Sequence, residues 1–152
     1  MSLNARKRTP CVGICSTTYG DLVCRGCKRF AHEIVNWNGY EVEQQTLVWQ
    51  RLHELRDAVV AHYLSIEDPD LFASACAQND IVQQSPEATM YALVAKLTVS
   101  DTDLSTAGLA VTQRLAASLD HDDTVLAIMK AMDAEIYARS VAHYERNFKI
   151  PL

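Results

Sequence analysis

Long apolar runs are absent from this chain of 152 residues. The N-terminal segment MSLNARKRTP is basic and leads directly into the first cysteine, without the stretch of about 7–15 apolar residues that a secretory signal needs. No segment approaches the roughly 20 apolar residues of a membrane-spanning helix, because His62 and Lys96 interrupt the two most apolar stretches. We therefore expect a cytoplasmic protein without a membrane partner.

Motifs of the common enzyme classes are missing as well. The five histidines form no H-E-x-x-H pair, and the chain has no glycine-rich phosphate loop, nucleophile elbow or dinucleotide fingerprint. Cys76 has no cationic neighbour in the sequence, so we predict a small buried apolar residue and not a nucleophile. The acidic run DHDD at 120–123 is typical of a helix start and favours that interpretation over a cation site. We expect no enzymatic activity.

The chain does have a dense group of cysteines. Four of its five lie in CVGICSTTYGDLVCRGC, where Cys11, Cys15, Cys24 and Cys27 give the pattern C-x3-C-x8-C-x2-C. Clustered cysteines in a reducing compartment bind metal or do redox chemistry more often than they form structural disulfides. The eight residues between the pairs contain a turn signal, so the second pair can fold back to face the first. The spacing predicts that all four thiolates bind one metal ion.

Zinc is the metal that this spacing favours. Zn²⁺ takes four sulfurs in two close pairs and can hold together a segment too small to have its own core. The ferredoxin patterns of iron–sulfur proteins place three cysteines in one tight run, which this sequence lacks. Two alternatives stay open: CRGC as a redox motif, although no alternating strand and helix pattern surrounds it, and a site in which His32 replaces one cysteine.

The run TPCVGICSTTYGDLVCRGCKRFAHEIVNW resembles the small bacterial domain-of-unknown-function family numbered 1289. The resemblance covers roughly residues 8 to 56, and it rests on a shared proline, the two cysteine pairs, an arginine and an E-I-x-x-W segment, here Pro10, Cys11, Cys15, Cys24, Gly26, Cys27, Arg29, Glu33, Ile34 and Trp37. Members of that family are often labelled predicted iron–sulfur proteins, so the resemblance implies a cluster where the spacing favours zinc. It implies no substrate or reaction.

The rest of the sequence predicts helices. Apolar residues recur every three or four positions over 30–37 and 41–64, and again up to about Phe148. Asp68-Pro69 and Ser85-Pro86 are typical helix starts, and a further helix from about Ser100 is expected to carry Gly108 and Leu119 on one face. We predict a mainly α fold, with a four-cysteine metal knuckle that has little or no sheet, followed by a helical bundle-like body. The metal-binding module with its following helices spans 8–64, and the helical C-terminal region spans 65–152. The buried set of that region is expected to include Leu71, Val94, Val111, Leu115, Val125 and Met132.

Charge is distributed unevenly along the chain. Residues 1–60 carry eight basic against six acidic side chains, a balance of +2, whereas residues 61–152 carry a balance of −7. Six of these basic side chains could offset the thiolates or contact a nucleic acid; they are Arg6, Lys7, Arg8, Arg25, Lys28 and Arg29. We expect a zinc-binding interaction or adaptor module with a protein partner. The alternatives are an iron–sulfur protein in electron transfer or redox sensing, and a nucleic-acid-binding zinc module.

Overall fold

The computed structural model describes residues 9–112 and 124–148. Within them the fold is mainly helical, as predicted, with five α-helices and one two-stranded antiparallel sheet. The elements in chain order are α1 (Ala31–Asn36), α2 (Val42–Tyr63), β1 (Leu64–Ile66), α3 (Pro69–Gln78), α4 (Pro86–Ser100), β2 (Leu109–Val111) and α5 (Val125–Asn147). Short 3₁₀ helices cover Ser16–Tyr19, Trp37–Gly39 and Leu104–Ala107. No helix in these described ranges is long and apolar enough to cross a membrane.

Two helices begin at the predicted positions for the predicted reason. The Asp68 carboxylate accepts the N–H groups of Asp70 and Leu71, and Pro69 occupies the first position of α3. The Ser85 hydroxyl accepts the N–H of Ala88 at the start of α4, again with proline following. In each case a side-chain oxygen satisfies an N–H that has no partner within the helix.

The predicted helix from Ser100 onward is wrong over its first half. Residues 104–107 form a 3₁₀ turn, and Gly108 then takes a left-handed conformation with φ +70°. The Gly108 carbonyl accepts the N–H groups of Glu67 and Asp68, and a Cβ at Gly108 would lie only 2.3 Å from the Asp68 carbonyl oxygen. The chain therefore turns at this glycine and continues as β2, which pairs with β1 in the register Ser65 to Ala110. The second half of the predicted helix lies outside the described residues.

Most of the named core positions can be compared with the structure. Val94, Val125 and Met132 are buried, as predicted. Leu71 is 44% exposed, because α3 buries the face that contains Phe72, Ala75 and Cys76, and one residue corresponds to about 100° around a helix. Val111 is half-buried in β2. Leu115 lies outside the described residues.

The described residues pack into two compact units. The first unit contains residues up to Leu55 and those from Ile136 onward, and the second contains Arg56–Glu135. Helices α2 and α5 contribute residues to both. The predicted division into a metal-binding module at 8–64 and a helical region at 65–152 stays a prediction. The cysteine pairs belong to the first unit.

Candidate metal centre

A short hairpin holds the second cysteine pair. Val23 and Phe30 form an antiparallel bridge, and the Cys24 N–H donates to the Arg29 carbonyl at 2.9 Å. At the tip, the Lys28 N–H donates back to the Cys24 carbonyl at 2.9 Å. The backbone is therefore closed on both sides of the CRGC sequence, which holds the two thiols of this pair on one tight loop.

Lys28 adopts a backbone conformation in this loop that is usually found at glycine. It has φ 66°, in the left-handed region that a residue with a Cβ rarely adopts. Its side chain is buried and Nζ donates to the carbonyl groups of Arg25 and Gly26. These contacts offset the cost of the backbone conformation, since they satisfy two carbonyls of the tight turn.

The Cys24 thiol sits among backbone donors. Burial of Cys24 opposes ionisation of its thiol, but hydrogen bonds from the backbone of Cys27, Ser16 and Gly26 and from the Cys27 side chain outweigh it. Together they lower the pKa of Cys24 from 9.0 to about 7. In its thiol form Cys24 also donates its S–H to the carbonyl of Ile14, between the cysteines of the first pair, at 3.6 Å. The thiolate, which is the form that binds metal, is therefore favoured at this position.

The Cys27 thiol contacts a buried cation. Burial raises the pKa of Cys27 above 9.0, although the Arg29 guanidinium acts in the opposite direction. Arg29 Nε–H donates to Cys27 Sγ at 3.3 Å, and the guanidinium carbon lies 5.0 Å from the centre of the Trp37 ring. Arg29 is only 4% exposed and, among the described residues, forms no ion pair with a carboxylate. Ionisation of Cys27 would place a negative charge in direct hydrogen-bond contact with this buried cation.

The loop of the first pair packs directly on the second. A Cβ at Gly26 would lie 2.6 Å from Val12 Cγ2 and 2.9 Å from the Ile14 carbonyl oxygen, so only glycine fits there. Cys15 is half-buried, with its Sγ 2.8 Å from the Thr17 hydroxyl. Cys11 is exposed, and its Sγ accepts the Gly13 N–H at 3.4 Å.

Three of the four predicted ligands are near one another, namely Cys15, Cys24 and Cys27. All four are free thiols. In the ranges 9–112 and 124–148, no three Cys, His, Asp or Glu side chains converge closely enough to hold a metal ion. The donor chemistry nonetheless fits a thiophilic metal, because backbone N–H groups and a guanidinium are directed at the sulfurs. The four-sulfur site stays a prediction. His32, the alternative ligand, instead has its ring 5.7 Å from the Phe30 ring.

The basic side chains of this segment have different roles. Arg29 contacts sulfur, which matches the expectation that positive charge would offset thiolates, whereas Lys28 contacts carbonyls. Arg25 pairs with Asp21 at 3.2 Å and lies over the Tyr137 ring. The remaining basic positions, Arg6, Lys7 and Arg8, lie outside the described residues.

An ion pair behind the hairpin was missed by the sequence analysis. The Glu33 carboxylate accepts the Phe30 N–H at 2.9 Å and both terminal nitrogens of Arg51, at 2.6 and 2.7 Å. Glu33 thus fixes the start of α1 and connects it to α2. The E-I-x-x-W segment marked Glu33 as notable, but nothing in the sequence named Arg51, eighteen residues away, as its partner.

Cys76 is buried, as predicted, and burial raises its pKa.

Comparison with known proteins identifies the cysteine segment. Residues 9–56 match the profile of the family described as Protein of unknown function (DUF1289). These residues form a domain of that family, which confirms the resemblance drawn from the cysteine pairs and the residues around them. No curated protein matches the chain. No solved structure matches it either.

Proposed function

We propose that the domain at residues 9–56 is a zinc-binding module that docks to another protein, with the metal held by Cys11, Cys15, Cys24 and Cys27. The observation that carries the proposal is the set of donors directed at sulfur around Cys24 and Cys27. Thiolates need such donors because they leave water on binding metal. Bound zinc would supply the cohesion that this short segment lacks in apolar core.

Arg29 gives an independent argument for negative charge at this site. Burying a guanidinium costs several kcal/mol unless a negative group compensates it. Four thiolates around Zn²⁺ carry a net charge near −2, and Arg29 already donates to one of the sulfurs. A zinc–thiolate centre therefore explains why this cation is buried beside Cys27 and Trp37.

A docking role is supported by the apolar side chains around the cysteines. Four of them point outward within residues 12–22: Val12, Ile14, Tyr19 and Leu22 are 65%, 73%, 88% and 54% exposed. Scattered exposed apolar residues are ordinary, but this density in one short segment is typical of a protein interaction surface. Lys28 and Arg29 are buried and engaged within the domain, which favours a protein partner over a nucleic acid.

Metal content tests the first half of the proposal. Protein purified without oxygen should be colourless and contain about one zinc per chain, the stoichiometry of a single four-sulfur site. Cys24→Ala and Cys27→Ala should lose the zinc, whereas Cys76→Ala should keep it. A brown protein with iron and sulfide would establish the iron–sulfur alternative instead. Protein that binds neither metal would overturn both.

Partner capture tests the second half. Tagged wild-type protein and an Ile14→Asp variant would be used to capture proteins from extracts of the native cells, with identification by mass spectrometry. Val99→Asp is the matched control, because Val99 is 88% exposed and lies on α4 in the other unit. The proposal requires a protein that Ile14→Asp loses and Val99→Asp retains; identical sets for all three would refute the docking surface.

A further inference from the structure

A pocket of about 360 Å³ lies within the first unit, apart from the cysteines. Its walls come from α2 and the C-terminal half of α5, and Phe30 forms part of its lining. The lining residues are Phe30, Arg51, Leu55, Arg139, Ser140, Ala142, His143 and Arg146. The volume is near the lower end of the range for small-molecule sites, which is about 300–1,000 Å³.

The charged side chains that line this pocket are all basic. Arg139, His143 and Arg146 are spaced four and three residues apart, so they share one face of α5. Arg51 faces them from α2 with its charge offset by Glu33, and among the described residues no acidic side chain lines the pocket. The chain as a whole has a net charge of −5, so this concentration of arginine is a local exception. A concave site lined by charge of one sign attracts ligands of the opposite sign.

Aromatic and apolar groups adjoin these cations. Phe30 is buried, and the His143 ring is stacked with it at a centroid distance of 5.6 Å and an interplanar angle of 8°. The Arg51 guanidinium lies 4.2 Å from the centre of the Phe30 ring and is held there by its two hydrogen bonds to Glu33. Leu55 adds an aliphatic surface. The site is thus held in place by existing contacts, which reduces the entropy lost when a ligand binds.

We infer that this pocket binds a small anion in which a phosphate or carboxylate group is attached to an apolar or aromatic body. Arg146 binds the anionic group and Arg139 adds positive charge beside it, because a guanidinium matches the geometry of both oxyanions. The His143 ring, which is stacked on the buried Phe30 ring, and the side chain of Leu55 contact the apolar body. The inference does not depend on the metal or on the docking surface.

Nuclear magnetic resonance titration of the full-length protein tests it. The probes are phenyl phosphate, benzoate, inorganic phosphate and phenol, each added up to about 10 mM, which covers dissociation constants in the millimolar range. Phenyl phosphate or benzoate should shift the amide signals of residues 139–146 and of Phe30, and the better of the two identifies the anionic group. Phenol lacks the anionic group and inorganic phosphate lacks the apolar body, so each should bind at least about tenfold more weakly.

Two charge variants complete the test. Arg146→Gln should weaken binding of the better probe about tenfold, the effect of losing one hydrogen bond between charged groups. Lys130→Gln removes the same charge from an exposed position on α5 outside the pocket and should leave the affinity unchanged. Equal affinities of the two variants, equal binding of phenol, or shifts spread over every basic surface would overturn the inference.

Discussion

Replacement of Arg29 by methionine separates a metal-linked role of this residue from a purely structural one. Methionine has a similar length and fills the space beside Trp37 without a charge or a donor. We expect the variant to bind zinc about 10–100-fold more weakly, the usual effect of removing a group that hydrogen-bonds to a metal ligand. We also expect the metal-free protein to be almost as stable as the metal-free wild type.

The magnitudes follow from the contacts of Arg29. A hydrogen bond to an ionised group contributes about 1.5–3 kcal/mol, and a desolvated cation–π contact about 2 kcal/mol. Against these stands the cost of burying the guanidinium, which is several kcal/mol. In the metal-free protein the terms nearly cancel. When zinc is bound, the thiolate charge favours the cation, so the loss appears in metal affinity as about 1.4–2.8 kcal/mol.

Zinc affinity would be measured by competition with a chromogenic chelator. Stability of the metal-free protein would be followed by tryptophan fluorescence. The Trp49→Phe substitution in every variant leaves Trp37, which contacts residue 29, as the single tryptophan. Arg25→Met is the matched control, since Arg25 is exposed and forms a surface pair with Asp21 worth about 0–1 kcal/mol. The reasoning is refuted if Arg29→Met and Arg25→Met bind zinc with the same affinity, or if Arg29→Met lowers metal-free stability as much as it lowers metal affinity.

Three further predictions concern the same domain. Gly26→Ala should lower the free energy of unfolding by about 1–3 kcal/mol in urea titrations, because the added Cβ has no space. Gly39→Ala is the control and should change this free energy little, because nothing lies within 4 Å of its Cβ position. Equal effects of the two variants would contradict the tight packing of the two cysteine loops. Glu33→Gln should destabilise the domain by about 2–3 kcal/mol, less than the 3–5 kcal/mol of a fully buried pair because Arg51 is partly exposed, and a change below 1 kcal/mol would show that the pair contributes little. The pKa of Cys24 is lowered from 9.0 to about 7, so in metal-free protein its contribution to stability is complete above pH 9 and is lost as the pH falls through about 7. The thiolate absorbance that disappears in Cys24→Ala should titrate with this midpoint; a midpoint near 9 would remove the donor argument.

The cysteine spacing predicts a metal site, but the contacts of the basic residues around it are visible only in the structure. Arg25, Lys28 and Arg29 are near neighbours in sequence, and any of them could offset thiolate charge. In the structure the hairpin directs the Arg29 side chain inward, where it donates to Cys27 Sγ, whereas Lys28 Nζ donates to the Arg25 and Gly26 carbonyls. The partner of Glu33 was equally hidden, since Arg51 comes from a separate helix and no local pattern connects the two.

The first residues of α3 and α4 could be predicted from the sequence because the interactions that start these helices are local. At Asp68 and Ser85 one side chain and the following proline set the conformation within a single turn. The error beyond Ser100 has a non-local cause: Gly108 is bound to the backbone of Asp68, forty residues earlier, and the apolar spacing suits a helix as well as a strand. Periodicity cannot report such a contact.

The composition of the first unit sets an order of events during synthesis. Its cysteines leave the ribosome early, but residues from Ile136 onward, which supply one wall of the pocket beside Phe30, are made only after the 80 residues Arg56–Glu135. At roughly 5–20 residues per second, this interval lasts about 4–16 s. During this interval all four cysteines of the motif have been made, but the residues from Ile136 onward that pack beside Phe30 have not. Binding of a metal at the proposed site would therefore have time to precede closure of the unit, because the residues that close it are made seconds after the cysteines.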